Sequence, residues 1–441
     1  MRVVVIGGGR IGLPMAVTAA ESGHRVTVID ISEAAVHAIA AGTAPFDEPG
    51  MAEPLARHVE AGTLTASRDP EAVGDAEVVL CAIGTGLNRD GTPDLSNLES
   101  LAGSIGPHLG TGTLFVFKTT LPIGTTELLA EMLADVSGLT LDEDLLVCFS
   151  PERIVEGKAM QEMRSLPKIV GGIGEASRQA GVEFYGTIGG TVIPVADTRT
   201  AELCKLLDNS YRMTRFGFAS DVAALARANG IDAYEAIRAA NQEYARNSIP
   251  LPSMGVSGYC LTKDPLYLDM AAGGMVDRRG FPTVWMAARR AADDLMETSR
   301  GAVLDAVSDI VSPVITVGGI TYKENVADIR QSHGLQLAED LRSAGVEVRV
   351  WDPCLGDCTV NGFAVTGDAR AALTGVDMLV ITVPHRQFVE LAESSAELAR
   401  TLSQMRSLRI HDGWGVFRRS VLPAGIRYEG CGIPPRDIGE R

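Results

Sequence analysis

One pattern occurs twice in this chain and limits what it can fold into. A β-branched run meets a glycine turn, then an apolar helix, a second β-branched run and a single aspartate. The first copy starts at "RVVVIGGGRIG" and ends with "HRVTVID" at Asp30; the second starts at "PVITVGGITY" and ends with "VEVRVWD" at Asp352. A helix between two strands returns the chain to the same end of the sheet, so such strands pair in parallel. A further buried-strand run follows each copy, "AEVVLCAIG" after the first and "GVDMLVITVPH" after the second. "GTLFVFKTT" and "DLLVCFSPE" extend the first sheet. The expected fold class is α/β: two doubly wound Rossmann-like parallel-sheet domains, each with a ligand at the carboxyl edge of its strands.

Between the two copies, helical stretches run from about Thr198 to Asn229 and onward from Asp232 with no strand pattern. A helical middle domain is therefore expected to join the sheets, with boundaries at 1–196, 197–302 and 303–441. The polar end after about Pro434 is expected to be loosely held.

Charge and composition narrow the partners. The chain has 39 basic and 56 acidic side chains, net −17, so a nucleic-acid partner is not expected. Backbone amides and a few arginines can still bind phosphate in an acidic protein. No apolar run reaches the roughly 18–20 residues of a membrane span. The first apolar run opens directly into glycines, which is not a secretory-signal pattern. Seven scattered cysteines, an odd number, favour reduced thiols and a cytoplasmic location. Cys354 and Cys358 are spaced C-x3-C with no second Cys/His pair nearby in sequence, so no metal is expected.

Gly7, Gly9 and Gly12 form G-x-G-x-x-G around Arg10 and Ile11, and Asp30 stands at the end of the next strand. The spacing fits a dinucleotide: a tight turn, close backbone approach to a pyrophosphate at a helix N-terminus, and a carboxylate for the ribose hydroxyls. Asp30 would repel a 2′-phosphate, which favours NAD over NADP. FAD is a lesser rival with nothing further in its support.

Other residues have chemistry but also plain readings. Thr119 and Thr120 end the strand "LFVFK", where a hydroxyl can meet a ligand or finish a turn. Glu152 and Arg153 come directly off the strand "LLVCF"; Glu152 is a candidate base or a solvated loop acid. Lys205 and Asn209 are i and i+4 on a helix, able to stabilise an oxyanion together or to form an exposed face. In "GVSGYCLTKDP", Asp264-Pro265 reads as an N-cap followed by proline at the first helical position. Cys260 then precedes a helix start with Lys263 close by, which favours a thiolate nucleophile, although a structural cysteine is the commoner case.

In their order and spacing these motifs resemble the nucleotide-sugar 6-dehydrogenases, the UDP-glucose/UDP-N-acetylhexosamine/GDP-mannose dehydrogenase superfamily. GGGRIG with Asp30 is similar to the family's cofactor loop, and Glu48-Pro49-Gly50 to a short motif after it. Thr119-Thr120-Leu121-Pro122 stands where the family has Ser-Thr-Val-Pro, and Ser150-Pro151-Glu152-Arg153 matches its glutamate motif. Lys205 and Asn209 fall on its helix motif; Cys260, Lys263 and Asp264 fall on its G-x-G-G-x-C-x-x-K-D. Lys323, Asp328 and Arg330 fall on the K-x4-D-x-R of its third domain.

The resemblance implies NAD-dependent, four-electron oxidation of a sugar C6 alcohol to the acid. It makes Cys260 the nucleophile of a thiohemiacetal and then a thioester, which water releases. It gives Lys205 and Asn209 the oxyanion, and Asp264, with Thr120 and Glu152, the water and protons. Thr85, Thr120, Lys263 and Arg330 join the glycine loop in holding NAD. Glu152, Arg153, Gly255, Gly258 and Lys323 border the nucleotide sugar, and Arg246 reaches it from the neighbouring subunit of a homodimer joined through the middle helices.

Several positions depart from the family pattern: Ser257 for glycine, Thr262 for proline, Ser220-Asp221 for Asn-Glu, Trp414-Gly415 in place of Arg-Asn, and Arg10 for an aromatic. If position 257 needs a positive φ, its serine is strained. "SPER" with "EGKAM", and "YARNSIPLPSMGV", resemble UDP-N-acetylmannosamine or UDP-N-acetylglucosamine dehydrogenases more than UDP-glucose enzymes. The alternatives are a UDP-glucose 6-dehydrogenase, a two-electron dehydrogenase in which Cys260 is filler, and a nucleotide-sensing protein without turnover.

Overall fold

The structure is a computed structural model describing residues 1–273 and 280–439. The chain divides into two compact units, Met1–Asp208 with Leu266–Gly273, and Asn209–Pro265 with Gly274–Arg441.

The first unit is built on an eight-stranded sheet. Its strands are β1 (Arg2–Ile6), β2 (Arg25–Ile29), β3 (Leu64–Ser67), β4 (Val78–Cys81), β5 (Thr113–Phe117), β6 (Leu145–Phe149), β7 (Lys168–Gly172) and β8 (Val192–Pro194). They lie in the order β8-β7-β6-β5-β4-β1-β2-β3. All neighbours are parallel except β6 and β7. Such a sheet is covered on both faces, so its strands are apolar throughout. Val3 and Val5 of β1 enter one core, with Val28, Leu80 and Val116; Val4 and Ile6 enter the other, with Val79, Phe115 and Phe117. Helix α1 (Gly12–Glu21) brings small buried residues, Ala16, Ala19 and Ala20, against the sheet.

The second unit repeats this plan. Its strands are β9 (Val314–Gly318), β10 (Glu347–Trp351), β11 (Cys358–Val360), β12 (Phe363–Thr366), β13 (Met378–Ile381), β14 (Arg409–Asp412), β15 (Arg427–Gly430) and β16 (Ile433–Asp437). The order is β11-β12-β10-β9-β13-β14-β15-β16, with only the two outermost pairs antiparallel. Both sheets therefore contain a parallel core whose strands, numbered along the chain, lie 3-2-1-4-5-6. In each the order reverses beside the first strand, which opens a ligand crevice at the carboxyl edge.

Among the described residues the helical middle contains α2 (Thr198–Ala228), α3 (Ala233–Asn241), α4 (Tyr259–Ala271) and α5 (Val284–Ala306). Asp232 caps α3, its carboxylate accepting from the Glu235 amide at 3.2 Å. Among the described residues no helix is long and apolar enough to cross a membrane.

Two expectations fail locally. Helix α4 starts at Tyr259, so Asp264 and Pro265 lie inside it and Cys260 belongs to its first turn. Burial is the reason: Asp264 is fully buried against Asn209 and Lys263 rather than capping exposed amides. The C-terminal stretch is also better held than its polarity suggests, because Ile433–Asp437 pairs with β15 as an edge strand. Pro434 and Pro435 are tolerable there, since an edge strand leaves one row of amides without a ladder partner.

Candidate functional site

The turn after β1 fits a dinucleotide. Gly7 has φ +98°, and a Cβ on Gly12 would stand 1.8 Å from the Gly7 carbonyl oxygen, so helix α1 can approach the turn only through a glycine. A Cβ on Gly9 would meet nothing within 4 Å, which leaves its backbone open to a pyrophosphate. Asp30 accepts from the Gly8 amide at 2.7 Å through one oxygen and from Ser32 at 2.8 Å through the other. A cavity of about 680 Å³ is lined by Gly7, Asp30, Ile31, Arg68 and Ile83. Half-buried Arg10 lies over the Phe46 ring and 3.9 Å from Glu156. Ile11 is partly buried just ahead of α1.

In the same unit two buried glutamates hold the loops that carry candidate residues. Glu202 accepts from the amides of Gly124 and Thr126 at 2.6 and 2.7 Å, fixing the turn after Thr120. Glu48 accepts from Gly157 and Ala159 at 2.9 and 2.8 Å, fixing the loop after Arg153. The Thr85 hydroxyl donates to the Thr120 carbonyl at 2.6 Å.

Glu152 is buried, so it is not a solvated loop acid. One carboxylate oxygen accepts from the Arg153 and Ile154 amides, and the other lies 3.3 Å from Lys118 Nζ. Burial opposes charge on both members of this pair. The attraction between them prevails, lifting Lys118 above the ordinary lysine range and holding Glu152 below the ordinary glutamate range. Burial pulls nearby Lys168 down to about 8, against the attraction of Glu152. Lys205 Nζ donates to the Glu152 main-chain oxygen at 2.7 Å. Arg153 donates to the Pro167 carbonyl at 2.6 Å and lies 3.8 Å from Asp208. Sequence reasoning missed Lys118 and Lys168; the signal for Lys118 was a lone cation at the end of an otherwise apolar strand.

In the second unit Asn209 Nδ2 donates to Asp264 Oδ2 at 2.5 Å, and Lys263 Nζ lies 2.9 Å from Asp264 Oδ1. All three side chains are buried. Cys260, one turn earlier on α4, is exposed. Lys205 and Asn209 thus share a helix face but have different hydrogen-bond partners. Gly255 and Gly258 adopt positive φ, and a Cβ on either would press on His333 or Tyr322. Ser257 between them does not have a positive φ, so the expected strain is absent; its hydroxyl accepts from the His333 amide at 3.1 Å. Lys323 is half-buried; Arg330 is exposed and chelates the Asp328 carboxylate at 2.5 to 3.0 Å. Arg246 is exposed, over the Tyr244 ring. Trp414 donates from its indole to the Thr382 carbonyl at 2.7 Å.

Residues 1–189 match the NAD binding domain of the UDP-glucose/GDP-mannose dehydrogenase family, 199–293 its central domain and 316–419 its UDP binding domain. The UDP-N-acetyl-D-mannosamine dehydrogenase of Pyrococcus horikoshii is 31% identical over 98% of this chain and 99% of its own length. That of Escherichia coli K12 is 31% identical over 88% and 94%. A solved structure of the Pyrococcus horikoshii UDP-D-ManNAc dehydrogenase superposes with a TM-score of 0.87 at 29% identity, covering 98% of this chain and 99% of the other.

Proposed function

The chain belongs to the UDP-glucose/GDP-mannose dehydrogenase family, and we propose that this NAD-dependent enzyme oxidises the C6 alcohol of a UDP-N-acetylhexosamine to the uronic acid. In the net reaction one alcohol, one water and two NAD+ give one carboxylate, two NADH and three protons. NAD, when bound, supplies the acceptor for the electrons of both oxidations.

The protein's own residues do the rest. Exposed Cys260, in the first turn of α4, attacks the aldehyde carbon, and the tetrahedral oxygen so formed is stabilised by Lys205 and Asn209. After the second oxidation the acyl group remains on Cys260 as a thioester, and water cleaves it. Asp264 takes protons in these steps, its position fixed by Asn209 and Lys263. Glu152, ionised beside Lys118, orients water with Thr120. The Gly7–Gly12 turn and Asp30 hold the dinucleotide with Arg10, Ile11, Thr85, Lys263 and Arg330. Arg153, Gly255, Gly258 and Lys323 border the sugar nucleotide. In this reading exposed Arg246 serves the site of a neighbouring copy in a homodimer, and the enzyme works in the cytoplasm, where cysteines stay reduced.

The observation that carries this reading is a thiol in a helix's first turn four residues before a buried carboxylate held by an amide and an ammonium group. Relatives named for UDP-N-acetyl-D-mannosamine support the sugar. NADH formation across UDP-N-acetylmannosamine, UDP-N-acetylglucosamine, UDP-glucose and GDP-mannose tests it. An N-acetylhexosamine should exceed UDP-glucose in kcat/KM by roughly tenfold or more; preference for UDP-glucose sinks the assignment.

A further inference from the structure

A nucleophile, a base and an orienting carboxylate stand together at residues the reaction above does not use. Half-exposed Cys354 places Sγ 3.2 Å from His385 Nδ1, and His385 Nε2 lies 3.3 Å from Asp352 Oδ2. His385 and Asp352 are fully buried. Asp352 is fixed from both sides, its oxygens accepting from the Ile320 amide at 2.7 Å and the Cys354 amide at 2.9 Å. This is the arrangement by which a thiol passes its proton to an oriented imidazole.

A second contact makes the arrangement two-way. The Asn325 amide also points at His385 Nδ1, at 3.1 Å. One ring lone pair cannot serve both, so the Asn325 amide and the Cys354 thiol compete for it. Asn325 adopts a left-handed φ of 59°, two residues from Lys323, and its side-chain oxygen accepts from the Arg386 amide at 3.0 Å. Burial opposes a charged ring, but Asp352 and Cys354 outweigh it and push His385 up to about 9. The same three side chains have ligand atoms within 4.8 Å of one another. An amide hydrogen aimed at Nδ1, and a carboxylate already engaged by backbone amides, favour thiol chemistry over a cation.

We infer that Cys354 is an activated thiol, a site of covalent modification by peroxides and soft electrophiles, whose modification leaves His385 Nδ1 to the Asn325 amide. Cys354 gives its proton to His385 Nδ1, and the sulfur attacks one oxygen of hydrogen peroxide. The S–O bond forms as the O–O bond breaks. The sulfur loses two electrons to become sulfenic acid, and the departing hydroxide takes back from His385 the proton that Cys354 gave it, becoming water.

Timed iodoacetamide labelling of the full-length protein at pH 7, read by peptide mass mapping, tests this. Cys358 is exposed and only four residues away, so it is the internal standard. Cys354 is expected to label about tenfold faster than Cys358. His385→Gln should remove that advantage, and dimedone should tag Cys354 after one equivalent of peroxide. Labelling no faster than Cys358 in the unmutated protein overturns the proposal, whether or not H385Q folds. A ratio unchanged in folded H385Q overturns the role of the imidazole. Alkylated protein should exchange the Asn325 amide hydrogen more slowly than the untreated protein, while C354S treated alike shows no change; equal or faster exchange overturns the coupling to Asn325.

Discussion

The two sheets use the same turn differently. In the first, Gly7 at φ +98° and Gly12 bring helix to strand within five residues, and Asp30 accepts from the Gly8 amide at 2.7 Å. In the second, Gly319 at φ +92° and Gly334 do the same: a Cβ on Gly334 would stand 2.2 Å from the Gly319 carbonyl oxygen. Asp352 accepts from the Ile320 amide, again at 2.7 Å. The two aspartates differ in their surroundings. Asp30 faces a cavity, whereas Asp352 is sealed under Thr321 and His385. The second turn has ten more residues between its glycines, and that insertion carries Lys323, Asp328 and Arg330. One geometry thus leaves room for a dinucleotide in one unit. In the other it becomes a buried anchor for a loop.

The sharpest test of that contrast is a pair of alanines. Asp352→Ala strips the partner from buried amides and from His385, and is expected to cost about 4 kcal/mol in urea unfolding. Asp30→Ala should leave unfolding within about 1 kcal/mol of the parent but raise KM for NAD roughly tenfold. Equal melting of the two variants would break the comparison.

The units also differ in buried charge. Lys168 in the first has a folded pKa of about 8 against the ordinary 10.5. Between those values the unfolded chain binds more protons, so stability from this group rises with pH across the window and Lys168 costs stability below pH 8. Lys168→Met should therefore be more stable than the parent at pH 7, by at most about 3 kcal/mol, with the gap closing by pH 10.5. A gap that widens with pH contradicts this.

Saturating NAD sharpens the contrast next. At a hundred times Kd it should add about 2.7 kcal/mol. Hydrogen exchange should then slow at residues 7–12 and 30 and stay unchanged at 319 and 334. The smallest effect belongs to Ser257→Gly, which loses only the bond to the His333 amide and is expected to cost about 0.5–1 kcal/mol.

Much of this was readable in advance, for a physical reason. Gly7, Gly9, Gly12 and Asp30 are close in sequence and each has a local task, as does Asp232 at its helix cap. The second copy was legible as strand, loop, helix, strand and acid, but its third glycine was hidden by the insertion before Gly334. Residues whose partners arrive from far along the chain were not legible. Lys118 needs Glu152, and Cys354 needs His385, which no spacing announces. Asp264-Pro265 misled because local capping preference lost to burial against Asn209.

The central claim is that Cys260 carries the acyl group through two oxidations, and counting NADH against sugar acid tests it most directly. With UDP-N-acetylmannosamine in limiting amount, two NADH per sugar and no acid from Cys260→Ala are predicted. One NADH per sugar, undiminished in Cys260→Ala, would contradict it.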